Sequence, residues 1–181
     1  GAGKTFLLGG FKVEGQNNVL FQQFNISNTV EGGIGFYFTQ NTACEIVDCA
    51  AQQCSGHGLC VWDGAIGTAT RCEFTENGTS GVFCTGANTK GRLNDCTMHQ
   101  NGTHGLWASG RAVVDLHGTT TGIHSNKDRG IVASYHGKVN IHLPSQHNTS
   151  HDNIGQDQHQ AFGGSIANIN AESTPTVHSH T

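Results

Sequence analysis

Residues able to do acid–base chemistry crowd the second half of this 181-residue chain: His104, Asp115, His117, His124, Asp128, Arg129, His136, Lys138 and His142. Abstracting a proton beside a carboxylate requires a positioned base and a cation that holds the developing negative charge. His104, Asp115, His117, Asp128 and Arg129 are the candidates for those roles. Asp128 and Arg129 are adjacent, and the alternation in Val114-Asp115-Leu116-His117 puts Asp and His on one side of an extended segment. A second set, Tyr37, Trp62, Phe83 and Trp107, offers flat apolar rings for ligand contact. Cys54-x-x-His57-x-x-Cys60 supplies three ligand types with no matching fourth, so no metal site is implied, and no cofactor motif is present.

What positions these side chains is an internal repeat. Gly35, Gly58, Gly81, Gly105 and Gly130 each open a short apolar run, at spacings of 23, 23, 24 and 25 residues. Gly155 follows after another 25 residues, before a degenerate run. Two further columns move in step: Cys49, Cys72, Cys96 and Thr121, then Asn77, Asn101, Asn126 and Asn153. The runs are 3–5 residues long, β-branched or aromatic, and broken by Gly, Asn, Asp and Thr. No 3.6-residue apolar stripe is present, and the leucine-rich signature is absent. A period of 23–25 therefore holds about three short strands and three turns, stacked in parallel from rung to rung. Twenty-six glycines with only two prolines and 12% charged residues fit such a coil and exclude collagen, coiled coil and a charged disordered chain.

The repeat resembles the generic G-[IVL]-x-[VA]…C-x-[IFM]-x-x-N pattern of the right-handed parallel β-helix, the pectin-lyase-like class. The resemblance covers residues 31–155, with a preceding coil in 1–30 and a final irregular coil and polar tail in 156–181. It implies an all-β, right-handed solenoid of about six rungs. The class mixes polysaccharide lyases, hydrolases and epimerases with phage tail proteins and non-catalytic binding modules, so the resemblance leaves catalysis open. Gly56-His57-Gly58 is similar to an element of polygalacturonase-type hydrolases, yet the stretch before it carries a single acid, Asp48, where those enzymes need a pair of carboxylates.

Positions one and three after each glycine should face inward, giving Phe36/Phe38, Leu59/Val61, Val82/Cys84, Leu106/Ala108 and Ile131/Ala133, all apolar. Cys49, Cys72 and Cys96 should form a second inward column, and the asparagines a ladder of amides in tight turns. Cys44, Cys54 and Cys60 fall outside the inward columns. Position two reads Tyr37, Cys60, Phe83, Trp107 and Val132, an outward apolar row with no core reason. The leading expectation is a recognition or structural module that meets a polysaccharide or protein partner through this row. The alternative is a polysaccharide-modifying enzyme working around His104–His142.

Nine scattered Lys and Arg residues and a formal charge of −4 argue against a nucleic-acid partner. No apolar run is long enough for membrane insertion, and no signal-peptide pattern appears in this sequence. Protonating all twelve histidines would carry the charge from −4 to +8, so the molecule should respond to acid. Open strand edges at both ends call for shielding, self-association being one means. Asn25, Asn77, Asn101 and Asn148 match the glycosylation acceptor pattern, and His178-x-His180 ends the polar tail.

Overall fold

Short apolar runs can coil only if the chain turns a corner every few residues, and the corners use the left-handed backbone region. Single residues do this at equivalent places in successive turns: Asp48, Arg71 and Asp95 at one corner, with φ of 54°, 50° and 51°. Gln53, Glu76, Gln100 and Ser125 occupy the next, at 55°, 55°, 57° and 56°. Each such residue costs about 1 kcal/mol or more, which is offset because the corner lets the following strand join its own sheet. A computed structural model describes residues 5–144 and 146–169. In those residues the chain makes seven turns, each contributing one strand to each of three seven-stranded sheets.

The first sheet stacks Thr5–Leu8, Phe24–Ser27, Ala50–Gln52, Glu73–Thr75, Thr97–His99, Gly122–His124 and Ser150–His151. The second stacks Phe11–Glu14, Phe36–Thr39, Leu59–Trp62, Val82–Thr85, Leu106–Ser109, Ile131–Ala133 and Gln158–Gln160. The third stacks Asn17–Gln22, Ala43–Val47, Ile66–Thr70, Lys90–Asn94, Val113–His117, Lys138–Ile141 and Ser165–Asn168. Strand pairing is parallel, as in Val82↔Leu106 and Leu106↔Ile131. The solenoid expected from the glycine spacing is present with seven turns, because the segments before Gly35 and after Gly155 each complete one. His178 and His180 lie outside the described residues.

All ten side chains placed inward beside the repeat glycines are buried. Opposite them, the third sheet contributes Ile46, Ala69, Leu93, Val114, Leu116 and Val139, and the first contributes Ile26, Phe74, Met98 and Ile123. The core is thus a continuous apolar column along the axis. The cysteine expectation needs one correction: Cys44 and Cys54 also face this core. Cys44 points inward because it alternates with the exposed Glu45, and Cys54 takes the place in its turn that asparagine holds in later ones. Only Cys60 lies on the outer side, and it too is buried, at 5% exposure.

The repeat glycines are explained by crowding rather than by φ. A Cβ on Gly81 would lie 2.8 Å from Asn101 Nδ2 and 2.9 Å from the Gly105 carbonyl of the next turn. Asn77, Asn101 and Asn126 are fully buried, Asn153 is half-buried, and the four are hydrogen-bonded in series. Asn77 Nδ2 donates to Asn101 Oδ1 at 3.0 Å, Asn101 Nδ2 to Asn126 Oδ1 at 2.9 Å, and Asn126 Nδ2 to Asn153 Oδ1 at 2.8 Å. Each oxygen also receives a backbone N–H from the preceding turn. The acceptor patterns at Asn77 and Asn101 are therefore closed to modification in the fold, whereas Asn148 is exposed.

Candidate functional site

The outer row of the second sheet is built by register. Lys12, Tyr37, Cys60, Phe83, Trp107, Val132 and His159 occupy the same position in successive strands. At a rise of roughly 4.8 Å per turn, neighbouring rings come into contact. Burial along the row is uneven. Cys60 and Val132 are buried, and Tyr37, Phe83 and Trp107 are partly covered. The cover over the middle comes from the residue just before each repeat glycine. His57 stacks on Phe83 with centroids 4.8 Å apart, and His104 meets Trp107 edge-on at 5.6 Å. Phe83 and Trp107 touch each other at 4.6 Å, and the Trp107 indole N–H donates to Ser134 Oγ at 2.9 Å. This part of the row is an outer satellite of packing.

The other end is open. Trp62, on the same face one column over and paired with Thr85, is 49% exposed. Its ring lies nearly parallel to Tyr37, at 6.4 Å and 21°. Lys12 Nζ stands 5.9 Å from the centre of the Tyr37 ring and is ion-paired with Glu14 at 2.5 Å. A shallow cavity of about 270 Å³ is lined by Lys12, Tyr37, Thr39, Gln40, Trp62 and Asp63. A second, of about 220 Å³, lies on the other side of Tyr37, against Gly10, Phe11, Lys12, Asn28, Gly32 and Ile34. Burial raises the Tyr37 phenol above its ordinary value, so it is a neutral hydrogen-bonding group at pH 7. The arrangement combines an apolar platform with a rim of amide, hydroxyl, carboxylate and ammonium groups.

The five acid–base candidates separate onto two faces. Asp115 and His117 project from the third sheet. Asp115 Oδ1 accepts from Asn140 Nδ2 at 2.9 Å and pairs with His142 Nε2 at 3.0 Å, and His117 stacks on His142 at 4.3 Å and 11°. Burial pushes the Asp115 carboxyl up, but the bonds from Asn140 and His142 outweigh it and leave the group below its ordinary value. His117 is lowered by burial, by His142 and by Arg92. Arg92 occupies the position beside Asp115 in the neighbouring strand.

His104, Asp128 and Arg129 sit instead in the turns leading into the second sheet. Asp128 Oδ2 lies 3.5 Å from His104 Nδ1 and 3.2 Å from Arg129 Nη1. His104 is lowered chiefly by burial. His57 is lowered further, to about 4, again by burial. It accepts the Ser80 N–H at Nδ1, so its proton resides on Nε2. Asp48 is held by Arg71 through bonds of 2.6 and 2.9 Å at a corner, so the Gly56-His57-Gly58 segment is not joined there by a carboxylate pair.

All seven cysteines are free and buried. Burial raises Cys44 to about 11 and Cys60 to about 12, so both remain protonated thiols. Among the described residues, no group of three or more His, Cys, Asp or Glu side chains could hold a metal ion. Sequence reasoning missed two arrangements. Lys12, Gln40 and Asp63 join the Tyr37–Trp62 site, and His99, His124 and His151 stack in consecutive turns at 5.0 and 5.2 Å. The signal for both is register: equal offsets from the repeat glycine mark the first, and the second is concealed by a longer connection before Ser150.

Three parallel sheets coiled around one apolar column define a parallel β-solenoid with side chains displayed on its outer faces. The chain belongs to the right-handed β-helix region family, whose model matches residues 9–180. Neither the curated proteins nor the solved structures searched contained a match.

Proposed function

We propose that this solenoid is a recognition module that binds a polysaccharide through the Tyr37–Trp62 end of its outer aromatic row. The observation that carries the reading is Trp62, a large indole 49% exposed on a sheet face and stacked on a second aromatic, with polar groups at the rim. Aromatic platforms with a few convergent polar groups suit sugar rings, whose faces are apolar and whose edges are hydroxyl-rich. A glycan-binding screen of the full chain tests it. Trp62→Ala should abolish binding with little change in Tm. Trp107→Ala should lower Tm instead, because it removes packing against Phe83 and His104. Binding that survives both Trp62→Ala and Tyr37→Ala would sink the reading.

A second reading rests on Asp115 and His142. A carboxylate orients an imidazole at 3.0 Å, His117 lies against it, and Arg92 is next in the sheet, which are the parts of a proton-abstracting site for a uronate chain. Incubation with polyuronates and an ultraviolet assay for unsaturated products distinguishes the two. Product formation lost in Asp115→Asn would establish an enzyme.

A further inference from the structure

The two cavities beside Tyr37 share Lys12 and Tyr37 and lie one on each side of the ring. Ile34 and Gly32 line one of them, and Thr39 and Gln40 the other. Residues 34 to 40 follow the strand Phe36–Thr39, so the line joining the cavities runs along a strand and across the solenoid axis. Along the axis the surface is of another kind. The next residues in the row are Cys60, which is buried, and Phe83, which is covered by His57. An extended ligand following the axis would leave the open platform after one turn.

The charges around the platform are also specific. Among the described residues, Lys12 is the only cation lining either cavity, and it is ion-paired with Glu14 at 2.5 Å. Asp63 then leaves the rim of the larger cavity with excess negative charge. A carboxylated or sulfated sugar placed on Tyr37 would meet the Asp63 carboxylate and a cation already paired with Glu14, and that repulsion is strengthened as water leaves the site. Neutral hydroxyls face no such penalty. They can donate to Asp63 and Gln40 and accept from Gln40 and Lys12.

We infer that the Tyr37–Trp62 platform is a two-subsite cleft for a neutral hexopyranosyl oligosaccharide lying parallel to the strands, and that it discriminates against uronate chains. This rests on the recognition reading above and adds ligand class and direction to it.

Titration calorimetry on the full chain tests it, with neutral gluco-, galacto- and manno-oligosaccharides of one to four units set against oligogalacturonates of equal length. At least one neutral series should bind, with a disaccharide about 10-fold tighter than its monosaccharide as the second subsite fills. Galacturonates should bind about 10-fold more weakly than that series or not at all. Trp62→Ala and Ile34→Ala should each weaken the disaccharide, on opposite sides of Tyr37, while Phe83→Leu leaves affinity unchanged. Glu14→Gln, which frees Lys12, should raise galacturonate affinity about 10-fold.

Galacturonate bound as tightly as the neutral series, and lost in Trp62→Ala, would overturn the ligand class while leaving recognition intact. Affinity lost in Phe83→Leu but kept in Ile34→Ala would overturn the direction. No binding by either series, or binding indifferent to Trp62→Ala and Tyr37→Ala alike, would remove the recognition reading and this inference with it.

Discussion

A single asparagine column shows how one residue type serves both corner and core. Asn101 Oδ1 accepts from the Asn77 amide and side chain, and its Nδ2 donates to Asn126 Oδ1 and to the Phe74 carbonyl at 3.0 Å. Truncation would strand several buried polar groups at once, so Asn101→Ala should cost about 2–4 kcal/mol in urea unfolding. A cost no larger than that of an exposed turn asparagine would contradict the series. At the head of the column stands Cys54, whose backbone N–H reaches Asn77 Oδ1 at 3.1 Å but whose thiol cannot donate as an amide does. Cys54→Asn should add the missing donor and stabilise the protein by about 1 kcal/mol, read as a rise in Tm. This column was legible in the sequence because its spacing follows the glycines. The covering role of His57 and His104 was not, because the residue before each glycine changes type from turn to turn and only the folded register sets it over a ring.

Among the elements, the first-sheet strands at residues 97–99, 122–124 and 150–151 carry the histidine stack that periodicity concealed. The offsets from His99 to His124 and on to His151 are unequal because the connection after Ile141 lengthens the turn. The stack has a pH consequence. His99 Nε2 faces Glu73 at 2.8 Å and Thr75 and Gln100 at its other nitrogen, and His151 Nδ1 faces Asp152 at 2.8 Å. His124, between them, has only Ser125 Oγ within bonding distance among the described residues, at 3.1 Å. Burial and its two neighbouring imidazoles lower it, with Asp152 opposing. A histidine lowered in the fold binds fewer protons than in the unfolded chain. Its stabilising contribution is therefore present above the ordinary value of 6.5 and is lost as pH falls toward the folded value. The strand at 150–151 has two residues, so this loss should appear there first. Hydrogen exchange, corrected for the intrinsic pH effect, should be severalfold faster at pH 5 than at pH 7.5 in residues 150–168 and little changed in 43–47, whose neighbouring strands carry no histidine. His124→Gln should remove the difference. Equal acceleration in both regions would show that the stack is not the responsive element. Parallel stacking was readable from inward alternation, whereas the bulge at Asn18, with φ 61° and a register shift between Asn17 and Val19, had no marker in a turn that precedes the five aligned repeats.

Over the whole molecule, the same proton linkage adds up across faces that do not touch. His57, His104, His117 and His124 are all lowered, on the second, third and first sheets and their turns. Each is held below its unfolded value mainly by burial, so the folded chain as a unit takes up fewer protons than the unfolded one as pH drops from 6.5. Net charge passes through zero near the isoelectric point of 6.3 and turns positive toward pH 5, so self-repulsion adds to this loss at the acid end and the His57→Gln comparison separates the two. His57, lowered to about 4, should alone contribute about 2 kcal/mol of lost stability at pH 5. The urea midpoint should therefore fall between pH 7.5 and pH 5 with an unchanged m value, since the surface exposed on unfolding is the same. His57→Gln should lower the midpoint at pH 7.5, through lost packing on Phe83, but flatten its pH dependence. Sequence composition predicts acid sensitivity from the number of histidines alone. The structure assigns it instead to the histidines that the coil buries against aromatic rings and against one another. A midpoint that rises on acidification, or a slope untouched by His57→Gln, would return the effect to exposed surface charge.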